Sequence, residues 1–140
     1  MAGGAADTPT ARLAYHPVNL GLRFVLEIWT VAAFGVLPWE RLEAWWKWPL
    51  VVLCPLLVML VWGAFAVPGD RTRSGRPVPV ATDGRIRLAL ELGLLTAGAA
   101  ATWATGREAV AGLFAALIVV HYAVSYDRVR WLVRQQRWRS

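Results

Sequence analysis

Four runs of apolar residues, each of helical length, dominate the chain: about 20–37, 50–67, 86–104 and 109–126. A helix rises 1.5 Å per residue, so about 20 residues cross the roughly 30 Å hydrocarbon core of a bilayer. Backbone N–H and C=O groups find no partner in lipid, so each run is expected as a helix. Polar and Pro/Gly positions punctuate the runs. Pro38 is expected just after the first helix, Pro49 opens the second, and Pro68-Gly69 stops it. Asn19 and Asp83 stand where N-caps belong. The expected fold class is an all-α membrane protein with four transmembrane helices. They occupy residues 16–130, between a flexible tail at 1–15 and a basic tail at 131–140.

The polar positions also repeat. Asn19, Arg23 and Glu27 lie four residues apart, and Asp83, Arg87 and Glu91 restate that spacing 64 positions later. Each set opens an apolar run. Segments 66–73 and 123–130 agree at five of eight positions at a constant offset of 57, and the shared positions include Asp70 and Asp127. A duplicated helix hairpin accounts for both matches. The first and third helices would then run the same way, giving two parallel-repeat hairpins about an axis along the membrane normal. The third run carries Gly93, Ala97 and Ala101 at four-residue spacing, and the fourth carries Gly112 and Ala116. Such small faces let helices approach closely, within the bundle or in a homodimer.

Composition settles the setting. Of 140 residues, 57% are hydrophobic and 17% charged, well off the balance of a soluble domain, and mean hydropathy is +0.44. The net charge of +6 comes almost wholly from arginine, because Lys47 is the only lysine. A basic balance suits nucleic acid or an anionic membrane face, and the apolar runs favour the membrane without nucleic acid. Arg12, Arg71, Arg73, Arg76, Arg85, Arg87, Arg128, Arg130, Arg134, Arg137 and Arg139 fall on the tails and the middle connection. Only Arg41, Lys47 and Arg107 fall on the other two. Eleven against three places both termini in the cytoplasm, facing anionic inner-leaflet lipids. Trp39, Trp45, Trp46, Trp48 and Trp103 would then mark the outer interface, and Trp131 and Trp138 the inner one. Residues 1–15 lack the apolar stretch of a cleavable signal, so the first run is expected to remain as an anchor.

Few residue types remain for chemistry. Cys54 is the only cysteine and lies in an apolar run, which excludes an intramolecular disulfide and a thiolate metal cluster. Glu27 and Glu91 each lie about eight residues past the expected cap, roughly 12 Å into the helix. A charge near the bilayer centre costs roughly 2.5–3.5 kcal/mol. Two readings of the pair stay open: a proton or cation site, or hydrogen bonds that lock helices together. Arg23 and Arg87 precede the glutamates by one turn, in the poorer order for such a pair and against the helix dipole. Their expected roles are a charge network with Asp70 and Asp127 across helices, or snorkelling to inner-leaflet phosphates. Asn19, Asp83 and Arg128 join that network through the repeat.

His121 breaks the repeat, since Ala64 stands at its counterpart. It is either a proton relay to Glu27 or Glu91, or a neutral histidine bonded between helices. Ser125 lies four residues on, but no orienting acid or oxyanion hole accompanies a Ser-His pair, and no enzyme is expected. His16 sits far from His121 in sequence, so no metal site and no cofactor are expected. The tail from Asp127 alternates arginine with Trp131, Leu132 and Val133. It is expected to continue the fourth helix along the inner surface.

Three stretches, Asn19 to Glu27, Trp62 to Asp70, and His121 to Arg128, together resemble the YrdB-like family of small bacterial integral membrane proteins. The resemblance runs over about 17–132. It implies some four membrane helices in a bacterial plasma membrane and no assigned activity. The function expected from the residues themselves is proton- or cation-linked transport or small-ligand binding at paired intramembrane glutamates. The alternative is an accessory subunit whose buried charges hold helices or dock a partner.

Overall fold

A computed structural model describes residues 13–70 and 77–135. Arg12, Arg71, Arg73, Arg76, Arg137, Arg139 and Trp138, and most of both expected tails, lie outside the described residues. The chain is helical, with α1 (Pro17–Arg41), α2 (Lys47–Ala64), α3 (Gly84–Ala104), α4 (Glu108–Val124) and α5 (Tyr126–Arg134). A two-residue parallel pair, β1 (Phe65–Ala66) with β2 (Val80–Ala81), interrupts them. Among the described residues two helices, α1 and α2, are long and apolar enough to cross a membrane. The bent pair of α4 and α5 would add a third span if counted as one. α3 has the length, at 21 residues, but carries Arg85, Arg87 and Glu91 in its first half.

Several expected boundaries move, each for a local reason. α1 starts three residues early, because His16 rather than Asn19 caps it: the His16 ring accepts from Val18 N at 3.3 Å. Asn19 instead lies inside the helix and is buried. Pro38 does not end α1, which runs on to Arg41. α2 stops at Ala64 rather than at 67, because Phe65 and Ala66 turn extended and pair with the segment before α3. Thr82 N donates to Ala66 O at 2.8 Å and closes that junction. Asp83 does cap α3, its carboxylate accepting from Arg85 N at 3.0 Å. The C-terminal tail does not continue α4: α5 leaves it at a 70° bend after Ser125.

α1 packs on α2, α3 and α4 around a core of Leu26, Leu95, Phe114 and Ile118. Trp29 stacks on Phe114 with ring centroids 5.6 Å apart, and its Nε1 donates to Thr102 Oγ1 at 3.1 Å. Between α1 and α3, Gly98 makes a close approach. A Cβ there would lie 2.8 Å from Thr30 Oγ1 and 3.1 Å from Thr30 Cα. Gly93 and Gly112, expected on packing faces, meet nothing within 4 Å. Gly98→Ala is therefore expected to push α1 and α3 apart and to lower stability by about 1–3 kcal/mol, the usual cost of overpacking. Gly93→Ala should be neutral or slightly stabilising in the same thermal melts, since it only removes a helix glycine.

Candidate functional site

Glu91 is the centre of the buried polar cluster. It projects from the second turn of α3 with its side chain 3% exposed. Oε1 accepts from Arg87 Nε at 2.8 Å, Arg128 Nη2 at 2.9 Å and Arg23 Nη2 at 3.1 Å. Oε2 accepts from Arg128 Nη1 at 2.9 Å and the Tyr122 hydroxyl at 3.2 Å. Arg128 also reaches Asp70 at 2.9 Å, and Arg23 reaches Glu27 at 2.9 Å. Among the described residues Arg23, Arg87 and Arg128 thus meet Glu27, Asp70 and Glu91, three cations against three anions. Charges taken from water are tolerable only when so paired and hydrogen-bonded. Among the described residues Arg128 Nε is buried without a hydrogen-bond partner.

Arg87 looks misplaced in its own helix, a cation in the first turn, until its other contacts are counted. Its Nη1 donates to Trp62 O at 2.8 Å, in the last turn of α2, and to Phe65 O, just past its end. Its guanidinium lies 5.6 Å from the Trp62 ring centroid. The last carbonyls of a helix lack intrahelical donors and carry the negative end of the dipole, so a cation from a neighbour satisfies both. Two more arginines do the same. Arg85 Nε donates to Val133 O at the end of α5 at 3.3 Å, and Arg41 donates to Ala104 O at the end of α3.

The repeated residues are not held alike. Glu27 is 29% exposed and accepts only from Arg23 among the described residues, through Oε1. Glu27 and Glu91 are joined through Arg23, which bonds both. Asn19 is buried, whereas its counterpart Asp83 is a helix cap without an ion pair among the described residues. Among the described ion pairs, Arg23 and Arg87 do not pair with Asp70 or Asp127 as expected. Those arginines turn to Glu27 and Glu91, Asp70 takes Arg128, and Asp127 has no ion pair among the described residues.

His121 is buried beside this cluster, and its ring meets Tyr122 edge-on at 5.1 Å. Its Nδ1 lies 2.8 Å from Asn19 Oδ1. Asn19 Nδ2 donates to Ala14 O at 3.1 Å and to Ser125 Oγ at 2.7 Å. With the amide nitrogen donating twice, Oδ1 faces the ring, so Nδ1 carries the hydrogen. His121 therefore bonds Asn19 rather than a glutamate, and Asn19 stands between it and Ser125. A Ser-His nucleophile pair is not assembled. No group of three or more metal-ligating side chains occurs among the described residues.

At the opposite ends of α1 and α3, beyond the expected spans, Arg107 grips Glu40 through both terminal nitrogens, at 2.7 and 3.0 Å. Those hydrogen bonds, with the charges of Arg107 and Arg41, hold the Glu40 carboxyl below its ordinary value against the opposing effect of desolvation. The pair thus adds its support above the ordinary carboxylate pKa and loses it as pH falls through the lowered one. Sequence reading overlooked this clamp and the Arg41 contact. The signal available was that Arg41 and Arg107 are the only arginines in the first and third connections between the apolar runs.

Two clefts open on the helix surfaces. One of about 490 Å³ between α1 and α3 is apolar apart from Thr102, Thr105 and the Glu40-bound Arg107. The other, about 450 Å³, lies between α1 and α2. Phe24, Ile28, Val58 and Met59 form its apolar wall, and Arg23, Glu27, Asp70 and Arg87 line its polar end.

With that geometry in hand, kinship is informative about family and silent about activity. Residues 21–119 match the family described as protein of unknown function (DUF2568). The uncharacterized protein YrdB of Bacillus subtilis (strain 168) is 39% identical over 120 residues, 86% of this chain and 97% of that protein. No solved structure matches. The chain belongs to the DUF2568 family, as the resemblance to YrdB-like proteins implied.

Proposed function

Starting from that membership, we propose that this chain is a four-span protein of the bacterial plasma membrane that binds a small amine-bearing amphiphile between α1 and α2. Glu27 is the receiving group. Both termini face the cytoplasm in this reading, which places the charged cluster in the inner leaflet. The supporting observation is one free acceptor. Glu27 Oε2 has no partner among the described residues and borders a cleft with an apolar wall and a charged end. Volumes of about 300–1,000 Å³ with a few convergent polar groups are usual for small-ligand sites. An ammonium donates to Oε2 while its alkyl chain lies along Phe24, Ile28, Val58 and Met59. Such binding is also the first step of any cation-linked transport.

Glu91 is assigned a different role. A proton delivered to it would leave three guanidinium groups facing two carboxylates, so it suits a fixed clamp better than a proton carrier. The same pairing is what favours the second reading, an accessory subunit without a ligand. The two separate in one experiment. Detergent-purified protein is melted with a medium-chain alkylamine and, beside it, the chain-matched alcohol. The amine should raise the melting temperature of wild type by several degrees more than the alcohol. Glu27→Gln should melt like wild type without ligand and lose that difference. Equal shifts from amine and alcohol, or a shift retained in Glu27→Gln, would leave the scaffold reading standing.

A further inference from the structure

α5 has one face fixed to the bundle and one face open. It leaves α4 at 70°, so if α4 stands along the membrane normal α5 lies within roughly 20° of the plane, the remainder of a right angle. One face is fastened inward. Arg128 and Leu132, one turn apart, are both buried, Arg128 on Glu91 and Asp70 and Leu132 against Gly84. Gly84 N donates to Gln135 O at 3.0 Å and ties the far end. The opposite face presents Tyr126, Arg130, Val133 and Arg134, all exposed. Neither Arg130 nor Arg134 forms an ion pair among the described residues. Arg85, also exposed, bonds the carbonyl of Val133 and so brings a third guanidinium beside Arg134. The same segments carry two acids, Asp83, which caps α3, and Asp127 in the first turn of α5, against these three arginines. Arginine guanidinium groups bind phosphate oxygens in pairs, and short helices with aromatic and basic residues settle at the headgroup layer.

We propose that α5 is an interfacial helix and that Arg130 and Arg134 hold the phosphates of anionic phospholipids. Arg128 couples that surface to the buried cluster, so headgroup binding restrains the strap that closes over Glu91. Arg130 and Arg134 are not among the residues that line the amine cleft between α1 and α2.

The test compares full-length protein in nanodiscs of phosphatidylcholine alone and of phosphatidylcholine with phosphatidylglycerol. Wild type should melt several degrees higher in the anionic discs, and the gain should shrink as salt is raised. Arg130→Gln with Arg134→Gln should remove at least half of the gain while melting like wild type in the neutral discs, because both side chains are exposed. The paired Arg→Lys variant should keep most of it. A full gain retained in the Gln variant, or no gain in wild type, overturns the proposal. Glycerol phosphate in solution matching the effect in neutral discs overturns it too, since the site would then serve a soluble anion.

Discussion

Glu91→Gln is expected to lower stability by about 3–5 kcal/mol, the usual cost of removing one partner from a buried ion-pair network. The substitution keeps shape and removes charge. Arg23, Arg87 and Arg128 would then share Glu27 and Asp70, and Arg87 and Arg128 have side chains only 6% and 4% exposed. The new amide nitrogen would also point donors at donors, since Oε1 and Oε2 now accept four guanidinium hydrogen bonds between them. On the scaling of soluble domains this amounts to on the order of 10 °C in melting temperature. The loss should be shared by α2 and α5, because Arg87 holds the last carbonyls of α2 and Arg128 holds α5. Hydrogen exchange of the purified variant should show both helices opening. A variant that melts within a degree or two of wild type would mean the network contributes little to the fold.

Gly84→Ala should detach α5. A Cβ at that position would sit 1.9 Å from Leu132 O and 2.7 Å from Leu132 C. Both are backbone atoms, so no rotamer change relieves the clash. Overpacking generally costs about 1–3 kcal/mol, and here the strap itself must lift. It would break the bond from Gly84 N to Gln135 O and pull Arg128 from Glu91. Limited proteolysis or hydrogen exchange should find α5 accessible while α1 and α4 stay protected. Unchanged protection of α5 would show that the α3–α5 contact absorbs the extra methyl group.

The helices themselves were legible from apolar runs, because a backbone that needs internal hydrogen bonds leaves few choices over some 18 apolar residues. Their ends were less legible. The Pro-Gly at 68–69 advertised a stop, yet α2 ends earlier, because Phe65 and Ala66 bond to a segment 15 residues away in sequence. Pro38 advertised a stop that α1 ignores. The repeat was visible as letters and misleading as geometry. Asn19 and Asp83 occupy matching positions, but one is a buried bridge to His121 and the other a surface cap. Arg23 and Arg87 read as anomalies against their own helices. Arg87 makes sense only once the end of α2 lies beside it, a tertiary fact that no local rule contains. His121 was picked out as the symmetry breaker, and what it bonds is Asn19 rather than the glutamates.

The central claim is that the two glutamates, alike in sequence, have parted in role: Glu91 holds the bundle and Glu27 faces the cleft. Melting temperatures of Glu27→Gln and Glu91→Gln, measured in the same detergent without ligand, test it most directly. The account predicts Glu27→Gln near wild type and Glu91→Gln lower by about 10 °C. Equal losses in both variants, or the larger loss in Glu27→Gln, would contradict it and return the pair to a symmetric role.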